Sequence, residues 1–339
     1  MKPLLLLPLL WIVQAHALED YQPAELVEPV LPVVRSEDSG MVELVFMVDE
    51  NGEVQEPAVV RATLLGWEER AIQAIRKFKF KPAQIGDRKV ASIARYNMEF
   101  DSSRIPNRLG FPNPMDAPDG YMSLYNTFTK LLNKEEPNKR KAKHTLNKMR
   151  ELALRTFFTG VHNELAQIRY YEIFGPKSAQ IERIKHVLMF KDVEWGGNNA
   201  LDAEMLKTMR MILIQRQLEN GQYADALMNY RNWSKQDSDL KTTFAEAAAQ
   251  IEDIQRSERV ISRSIKITSR GQAFLPLLKR SFSILPGDKK IDELKLRCEA
   301  KFLTLQYSPD ATYQLPASFG ECELQILGEP GDEFTVLQQ

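Results

Sequence analysis

The clearest alternation of apolar and polar positions lies in the first third of the chain. Val42 to Val48 has an apolar residue at every second position, the period of a strand with one buried face. The turn signal Asn51-Gly52 follows, with both positions expected at positive φ, and a second strand is expected from Glu53 to about Arg61. Trp67 to Lys77 has a helical period, and Val90 to Phe100 alternates again. The predicted order is strand, strand, helix, strand.

The middle of the chain has the pattern of helices. Residues 121–256 are almost free of proline and rich in helix formers. Glycines and polar runs, among them Gly160, Gly221 and the segment 234–239, divide this stretch into about six expected helices of roughly 10 to 20 residues. A turn-rich linker at 103–119, with four prolines, separates the helices from the first third.

From about residue 259 the period changes to two. In the run 294–302 every second residue is apolar, Cys298 among them, and the positions between are charged, Arg297 among them. Cys322 begins another alternating run. Short strands between proline and glycine turns predict an antiparallel β-sandwich, with both cysteines on the inward faces of their strands and the charged residues on the other side.

The first seventeen residues have the order of a secretory signal peptide. Lys2 precedes an apolar stretch from Leu4 to Val13, and the small residues Ala15 and Ala17 stand where a signal peptidase would cut. An uncleaved anchor or a buried helix is the alternative. About ten apolar residues are too few to cross a bilayer core of about 30 Å, so we expect cleavage after Ala17, export, and no transmembrane segment afterwards.

Export would determine the oxidation state expected for the two cysteines of the chain. In an oxidising compartment an even number of cysteines favours a disulfide, so a Cys298–Cys322 bond is expected. Closing a loop of about 25 residues stabilises a protein by roughly 3 to 4 kcal/mol in the chain-entropy model. Two buried free thiols are the alternative.

The region of about residues 40–100 combines several motifs in a fixed order. They are the Gly40-x-Val42 opening, the Asn51-Gly52-x-Val54 hairpin, the helix with its alanines, the aromatic-x-aromatic-x-Pro-Ala run from Phe78 to Ala83, and the turn at Gly86. In these features the region resembles the C-terminal domain of the TonB family. The family usually has a tryptophan where this chain has Phe78.

The resemblance implies a mode of binding. TonB-like domains bind partners by β-augmentation, in which an extended peptide adds to the edge of a sheet. In the family this edge is the last strand, which here comprises Val90, Ala91, Ser92, Ile93, Ala94, Arg95, Tyr96 and Asn97. The implied partners are outer-membrane receptors or other envelope proteins in the periplasm, with a link to TonB-dependent transmembrane transport. In the alternative, the chain's own second domain or another copy in a homo-oligomer covers the edge.

A TonB-type energy transducer also needs an anchor helix and a long proline-rich spacer. Neither is expected here, so the resemblance implies a recognition module. In the helical stretch, Gly221, Tyr223, Ala226, Leu227 and Tyr230 have the spacing of the second half of a tetratricopeptide repeat. No second copy follows, so a degenerate array and a plain helical bundle both remain open.

Composition and motifs argue against other functions. The chain has 339 residues with 45 basic and 46 acidic side chains, so it lacks the positive field of a non-specific nucleic-acid binder. We find no glycine-rich phosphate loop, no GxSxG or HExxH motif and no metal-ligand spacing among His144, His162 and His186. We therefore expect no enzyme, no cofactor and no metal. The basic run 139–150 is interpreted as a solvated helix face, with anionic lipid or cell wall as the alternative ligand.

The sequence as a whole predicts a multi-domain α+β protein. The leading hypothesis is an exported peptide-binding module, and the alternative is a structural scaffold or assembly factor working through its helices. The expected parts are a signal peptide (1–17), a lead segment (18–39), a TonB-like β-β-α-β domain (40–102), a proline-rich linker (103–119), a helical tetratricopeptide-like domain (120–258) and a β-sandwich (259–339).

Overall fold

The computed structural model describes most of the chain and confirms the mixed α+β class. In the described residues it contains eight α-helices and several antiparallel sheets. None of the described helices is long and apolar enough to cross a membrane. The expected cleavage residues Ala15 and Ala17 and most of the linker 103–119 lie outside the described residues. The residues that the structure describes are 20–30, 32, 39–63, 66–100, 117–153, 156–195, 198–285, 289–309 and 311–339.

The first part of the fold, residues 20–100, is called here the N-terminal sheet unit. Its elements are β1 Tyr21–Gln22, β2 Glu25–Glu28, β3 Gly40–Val48, β4 Val54–Ala62, α1 Glu68–Ile75, β5 Lys79–Lys81, β6 Ala83–Ile85, β7 Arg88–Val90 and β8 Ser92–Phe100. The three long strands form an antiparallel sheet in the order β4-β3-β8, and the short strands form the sets β1-β6-β7 and β2-β5. Helix α1 packs on one face of the long sheet.

The hairpin between β3 and β4 lies where it was predicted, but its turn differs. Only Gly52 takes a positive φ, of 83°. The carboxylate of Asp49 accepts the N–H groups of Asn51 and Glu53 at 2.9 and 3.0 Å, which widens the turn. A Cβ at position 52 would lie 1.9 Å from the carbonyl oxygen of Phe80, so glycine is needed both for the backbone angle and for this close approach.

The single strand predicted from Val90 to Phe100 is wrong at its start. Val90 ends β7 and pairs with Ala83 of β6, whereas Ser92 begins β8 and pairs with Val48 of β3. The chain therefore changes partner strand at Ala91.

The second part, residues 117–256, is called the helical region. The expected break at Gly160 is wrong, because this glycine lies inside α4 and packs against the Phe190 ring. Helix α4 instead begins after Thr156, whose hydroxyl accepts the Thr159 N–H at 3.1 Å. About six helices were expected, and the described residues form seven: α2 Tyr121–Leu132, α3 Lys139–Ala153, α4 Phe157–Phe174, α5 Lys177–Leu188, α6 Ala203–Glu219, α7 Tyr223–Trp233 and α8 Ser238–Arg256, with a small hairpin of β9 Glu194–Trp195 and β10 Asn198–Asn199.

The last part, residues 261–339, is called the two-sheet unit. Two four-stranded antiparallel sheets, in the orders β11-β18-β13-β16 and β12-β17-β14-β15, enclose one apolar core. A 3₁₀ turn at Ala317–Phe319 precedes β17. The strands are β11 Ile261–Lys266, β12 Gln272–Pro276, β13 Ser281–Ile284, β14 Ile291–Cys298, β15 Phe302–Leu305, β16 Thr312–Gln314, β17 Cys322–Gly328 and β18 Glu333–Gln338.

The three parts pack against one another around the long N-terminal sheet. Strand β3 is buried on both faces, with every residue except Glu43 fully buried. One face lies under α1, and Met41 on the other face belongs to the core of the helical region. Strand β8 lies beside β14 of the two-sheet unit. The presumed docking strand therefore lies where all three parts meet.

Candidate functional site

Strand β8 is the outer strand of its sheet. It pairs with β3 along its full length, and no other strand in the described residues pairs with it. Val90 and Ala91 lie outside it, in β7 and in the link between the strands. The other predicted docking residues all lie within β8: Ser92, Ile93, Ala94, Arg95, Tyr96 and Asn97.

The two faces of β8 meet different surroundings. Ala94 and Tyr96 pack against the core under α1. Arg95 lies on the opposite face, where it meets the carboxylate of Glu43 at 3.0 Å. Glu43 stands directly across from Arg61 of β4 and is salt-bridged to it as well. The face of the sheet turned toward the rest of the chain thus has a cross-strand row of cation, anion and cation.

Arg95 also joins the sheet to the two-sheet unit. One guanidinium nitrogen, Nη2, lies 2.6 Å from both carboxylate oxygens of Glu323 in β17. Glu323 has only 7% of its side-chain surface exposed, whereas Arg95 keeps 35%.

The carboxylates of this network have opposite pKa shifts. Burial disfavours the charge of Glu43, but Arg61 and Arg95 more than offset it, so the pKa of Glu43 is lowered. Burial also disfavours the charge of Glu323, and there Arg95 does not fully compensate, so the pKa of Glu323 is raised. Burial opposes the charge of Arg95, yet its two carboxylate neighbours raise the pKa of Arg95.

A second buried network joins the helical region to the two-sheet unit. Asp225 in α7 accepts from Lys185 of α5 at 3.2 Å and from Arg263 of β11 at 2.9 Å. Burial opposes the charge of Asp225, but these two cations lower its pKa well below the usual range. Asp225 therefore fixes α7, one wall of the cavity described next, against both neighbours.

A cavity of about 330 Å³ lies between β8, α7 and the two-sheet unit, and we call it the junction cavity. Strand β8 contributes Ile93, Ala94 and Arg95 to its wall. Its remaining wall is mainly apolar with charged side chains among the leucines. The side chains from the other two parts include Leu227, Met228, Arg231, Leu277, Leu278, Lys279, Arg280, Arg297, Glu299, Leu315, Glu321 and Glu323.

The two cysteines are bonded, as predicted, and one of them lines the cavity. Cys298 of β14 and Cys322 of β17 face each other across neighbouring strands, with a Cα–Cα distance of 4.1 Å. Both side chains belong to the core of the two-sheet unit, and Cys322 also lines the cavity. Glu323 follows Cys322 directly, so the disulfide holds the strand that carries the partner of Arg95.

Sequence reasoning missed three charged residues of the site. Arg297 was expected on an outward face, but it is 1% exposed because that face packs against the N-terminal sheet unit. The sequence pattern predicted no function for Glu43 or Glu323. A signal was present at Glu43: it is the one charged residue in an otherwise apolar strand, and such a group needs a cation when its strand is buried.

The three histidines that the structure describes lie in different surroundings. His162 stacks on the Phe158 ring, with centroids 4.0 Å apart, and burial lowers its pKa. His186 places Nδ1 3.5 Å from the buried carboxylate of Glu164, and His144 is exposed on α3. In the part of the chain that the structure describes, no group of three or more histidine, cysteine, aspartate or glutamate side chains is placed to hold a metal ion.

Comparison with known proteins adds no relative: no protein-family model matches the chain, and no curated protein matches it.

Proposed function

We propose that this chain is an exported periplasmic protein that binds extended peptide segments of other envelope proteins by β-augmentation on β8. In this proposal the signal peptide is cleaved after Ala17, and the three parts are a TonB-like domain, a tetratricopeptide-like helical domain and a β-sandwich. The observation that carries it is the placement of β8, an outer strand that also forms a wall of the junction cavity.

The chemistry of β-augmentation fits this placement. A peptide added to a sheet edge gains main-chain hydrogen bonds along the strand, and its alternate side chains need pockets for selectivity. Ile93 and Ala94 of β8 line a mainly apolar cavity, which offers such a pocket beside the strand. The proposed activity is binding, and the link to TonB-dependent transport is part of what the resemblance implies.

Site-directed photo-crosslinking tests the proposal in the full-length protein. Short peptides with alternating valine and threonine and one benzoylphenylalanine are irradiated with the protein, and the attached residues are identified by mass spectrometry. We expect attachment within 92–97. Ile93→Lys places a charge on this edge and is expected to weaken binding by about tenfold or more.

Val27→Lys is the matched control, because Val27 is an apolar strand residue that is 67% exposed and lies away from the cavity wall. It should bind the peptides as the wild type does. Attachment confined to the helical region, unchanged by Ile93→Lys, would contradict docking on β8.

A second candidate is a structural scaffold or assembly factor that works through its helices. One observation favours it: Arg95, in the middle of the presumed edge, is already engaged by Glu323 of the chain's own two-sheet unit. In this case the junction holds the parts of the protein together, and partners bind the helical surface. The crosslinking experiment separates the two candidates.

A further inference from the structure

The junction cavity has features that restrict the kind of peptide it can take. Its volume of about 330 Å³ lies at the lower end of the range for ligand pockets, which is roughly 300 to 1,000 Å³. Leu227, Met228, Leu277, Leu278 and Leu315 contribute apolar side chains to its wall. A cavity of this size accepts one or two residues of a peptide, so the end of a chain fits it better than a segment that must continue past it.

Three of the cations of the cavity wall are not matched by carboxylates. In the described residues Lys279, Arg280 and Arg297 form no salt bridge. Lys279 donates to the carbonyl of Ser257, and Arg280 donates to the carbonyl of Gly320.

Arg297 is the most buried of the three. Its Nε and Nη2 donate to Oε1 of Gln325 at 3.0 and 2.8 Å, and its buried Nη1 has no hydrogen-bond partner. Burial lowers the pKa of Arg297 to about 10, so the guanidinium still has its charge at neutral pH.

The three carboxylates of the cavity wall already have partners within the protein. Glu321 is salt-bridged to Arg231 at 2.8 Å, and Glu323 to Arg95 at 2.6 Å. Glu299 accepts the backbone N–H of Glu321 at 2.8 Å, and burial raises its pKa. The wall therefore has an excess of positive charge over an apolar lining, which is complementary to an anion attached to an apolar group.

We propose that the junction cavity binds the C-terminal residue of a partner polypeptide, with an apolar last side chain in the cavity and the terminal carboxylate near Lys279 and Arg280. The residues before it lie along β8. This inference rests on the proposed function and adds to it the part of the partner that is recognised.

Two peptides that differ in one group test the inference. Fluorescein-labelled valine–threonine peptides ending in leucine are prepared as the free acid and as the C-terminal amide, and binding to the full-length protein is followed by fluorescence anisotropy. We expect the free acid to bind about tenfold or more tightly than the amide. In the Arg280→Met variant the ratio of the free-acid affinity to the amide affinity should fall toward one.

Arg88→Met is the charge control, because Arg88 is exposed on β7 and lies outside the cavity wall. It should keep the full preference. Met228→Trp fills the cavity and should weaken the free acid severalfold, whereas Met122→Trp, at a position 42% exposed on α2, should not. Near-ultraviolet circular dichroism verifies the fold of each variant.

The outcomes separate this inference from the proposed function. Equal binding of acid and amide by the wild type, with crosslinks still on β8, overturns terminal recognition and leaves peptide docking in place. An unchanged preference in Arg280→Met overturns the assigned site of the carboxylate. Failure of both peptides to bind at up to about 1 mM overturns peptide docking and terminal recognition together.

Discussion

The face of the N-terminal sheet that α1 covers is lined by apolar side chains, among them Val42, Leu44 and Phe46. The opposite face of the same strands has the row Arg61, Glu43 and Arg95, set among buried apolar side chains such as Met41 and Val45. The first face is covered by residues close in sequence, and the second by regions that follow much later. The difference shows two ways to bury a sheet. Apolar contact tolerates small shifts, whereas a buried charge fixes its partner because an unpaired charge is costly.

The largest loss of stability is expected when the central charge of this row, that of Glu43, is removed. Glu43→Gln leaves Arg95 with Glu323 alone and the mostly buried Arg61 with only the more distant Glu182, at 3.8 Å. We expect the free energy of unfolding to fall by about 3 kcal/mol, measured by urea denaturation. Glu50→Gln, in the exposed hairpin turn, should stay within about 0.5 kcal/mol. Equal effects of the two substitutions would show that the charged row has no structural role.

A substitution on the apolar face under α1 provides the comparison with Glu43→Gln. Leu44→Ala removes a fully buried side chain from the core under α1, and we expect a loss of about 2 to 3 kcal/mol in the same urea experiment. Because no ionisable group is changed, this loss should be the same across the acid range. A loss that varies strongly with pH would mean that the two faces are not energetically separate.

The pH dependence of Glu43→Gln sharpens the distinction. The pKa of Glu43 is lowered below its ordinary value of 4.5 in the folded protein. A carboxylate with a lowered pKa contributes stability above its unfolded pKa and loses it as the pH falls. The gap between wild type and Glu43→Gln in thermal midpoint should therefore narrow from about pH 5 to about pH 3. A constant gap would contradict the lowered pKa.

The smallest effect is expected at a more exposed link between the same parts. Lys295 of β14 is salt-bridged to Glu56 at 2.8 Å, and Glu56 keeps 45% of its side-chain surface exposed. Lys295→Met should change the free energy of unfolding by less than about 1 kcal/mol, because solvent screens the pair. Lys290→Met, at an exposed pair within the two-sheet unit, is the control. A loss comparable to that of Glu43→Gln would place the decisive link at Glu56 instead.

The sequence predicts local features of this fold well. The α+β class, the positions of β3, β4 and α1, and the glycine turn at Gly52 follow from periods and turn residues within short windows. The disulfide was predicted because the chain has an even number of cysteines and because both were expected on the inward faces of their strands. These features depend on residues that are near each other in the chain or share one simple rule.

The site could be predicted only in part. Period two identifies which residues of β8 share a face, but it does not identify what covers that face. Arg95 meets Glu43 across 52 residues and Glu323 across 228 residues, and no local pattern records such pairs. The burial of Arg297 was missed for the same reason: alternation placed it on the face away from the core of the two-sheet unit, and a sheet distant in sequence covers that face.

The distance in sequence between Arg95 and Glu323 also orders events during biosynthesis. A chain made from its N-terminus presents β8 long before residue 323 has left the ribosome. During that interval the outer strand is open to any extended segment nearby, which is the situation in which strands of different chains pair wrongly. When β17 arrives, Glu323 binds Arg95 and fixes the outer strand against the two-sheet unit, so β8 reaches its final surroundings only after most of the chain has been made.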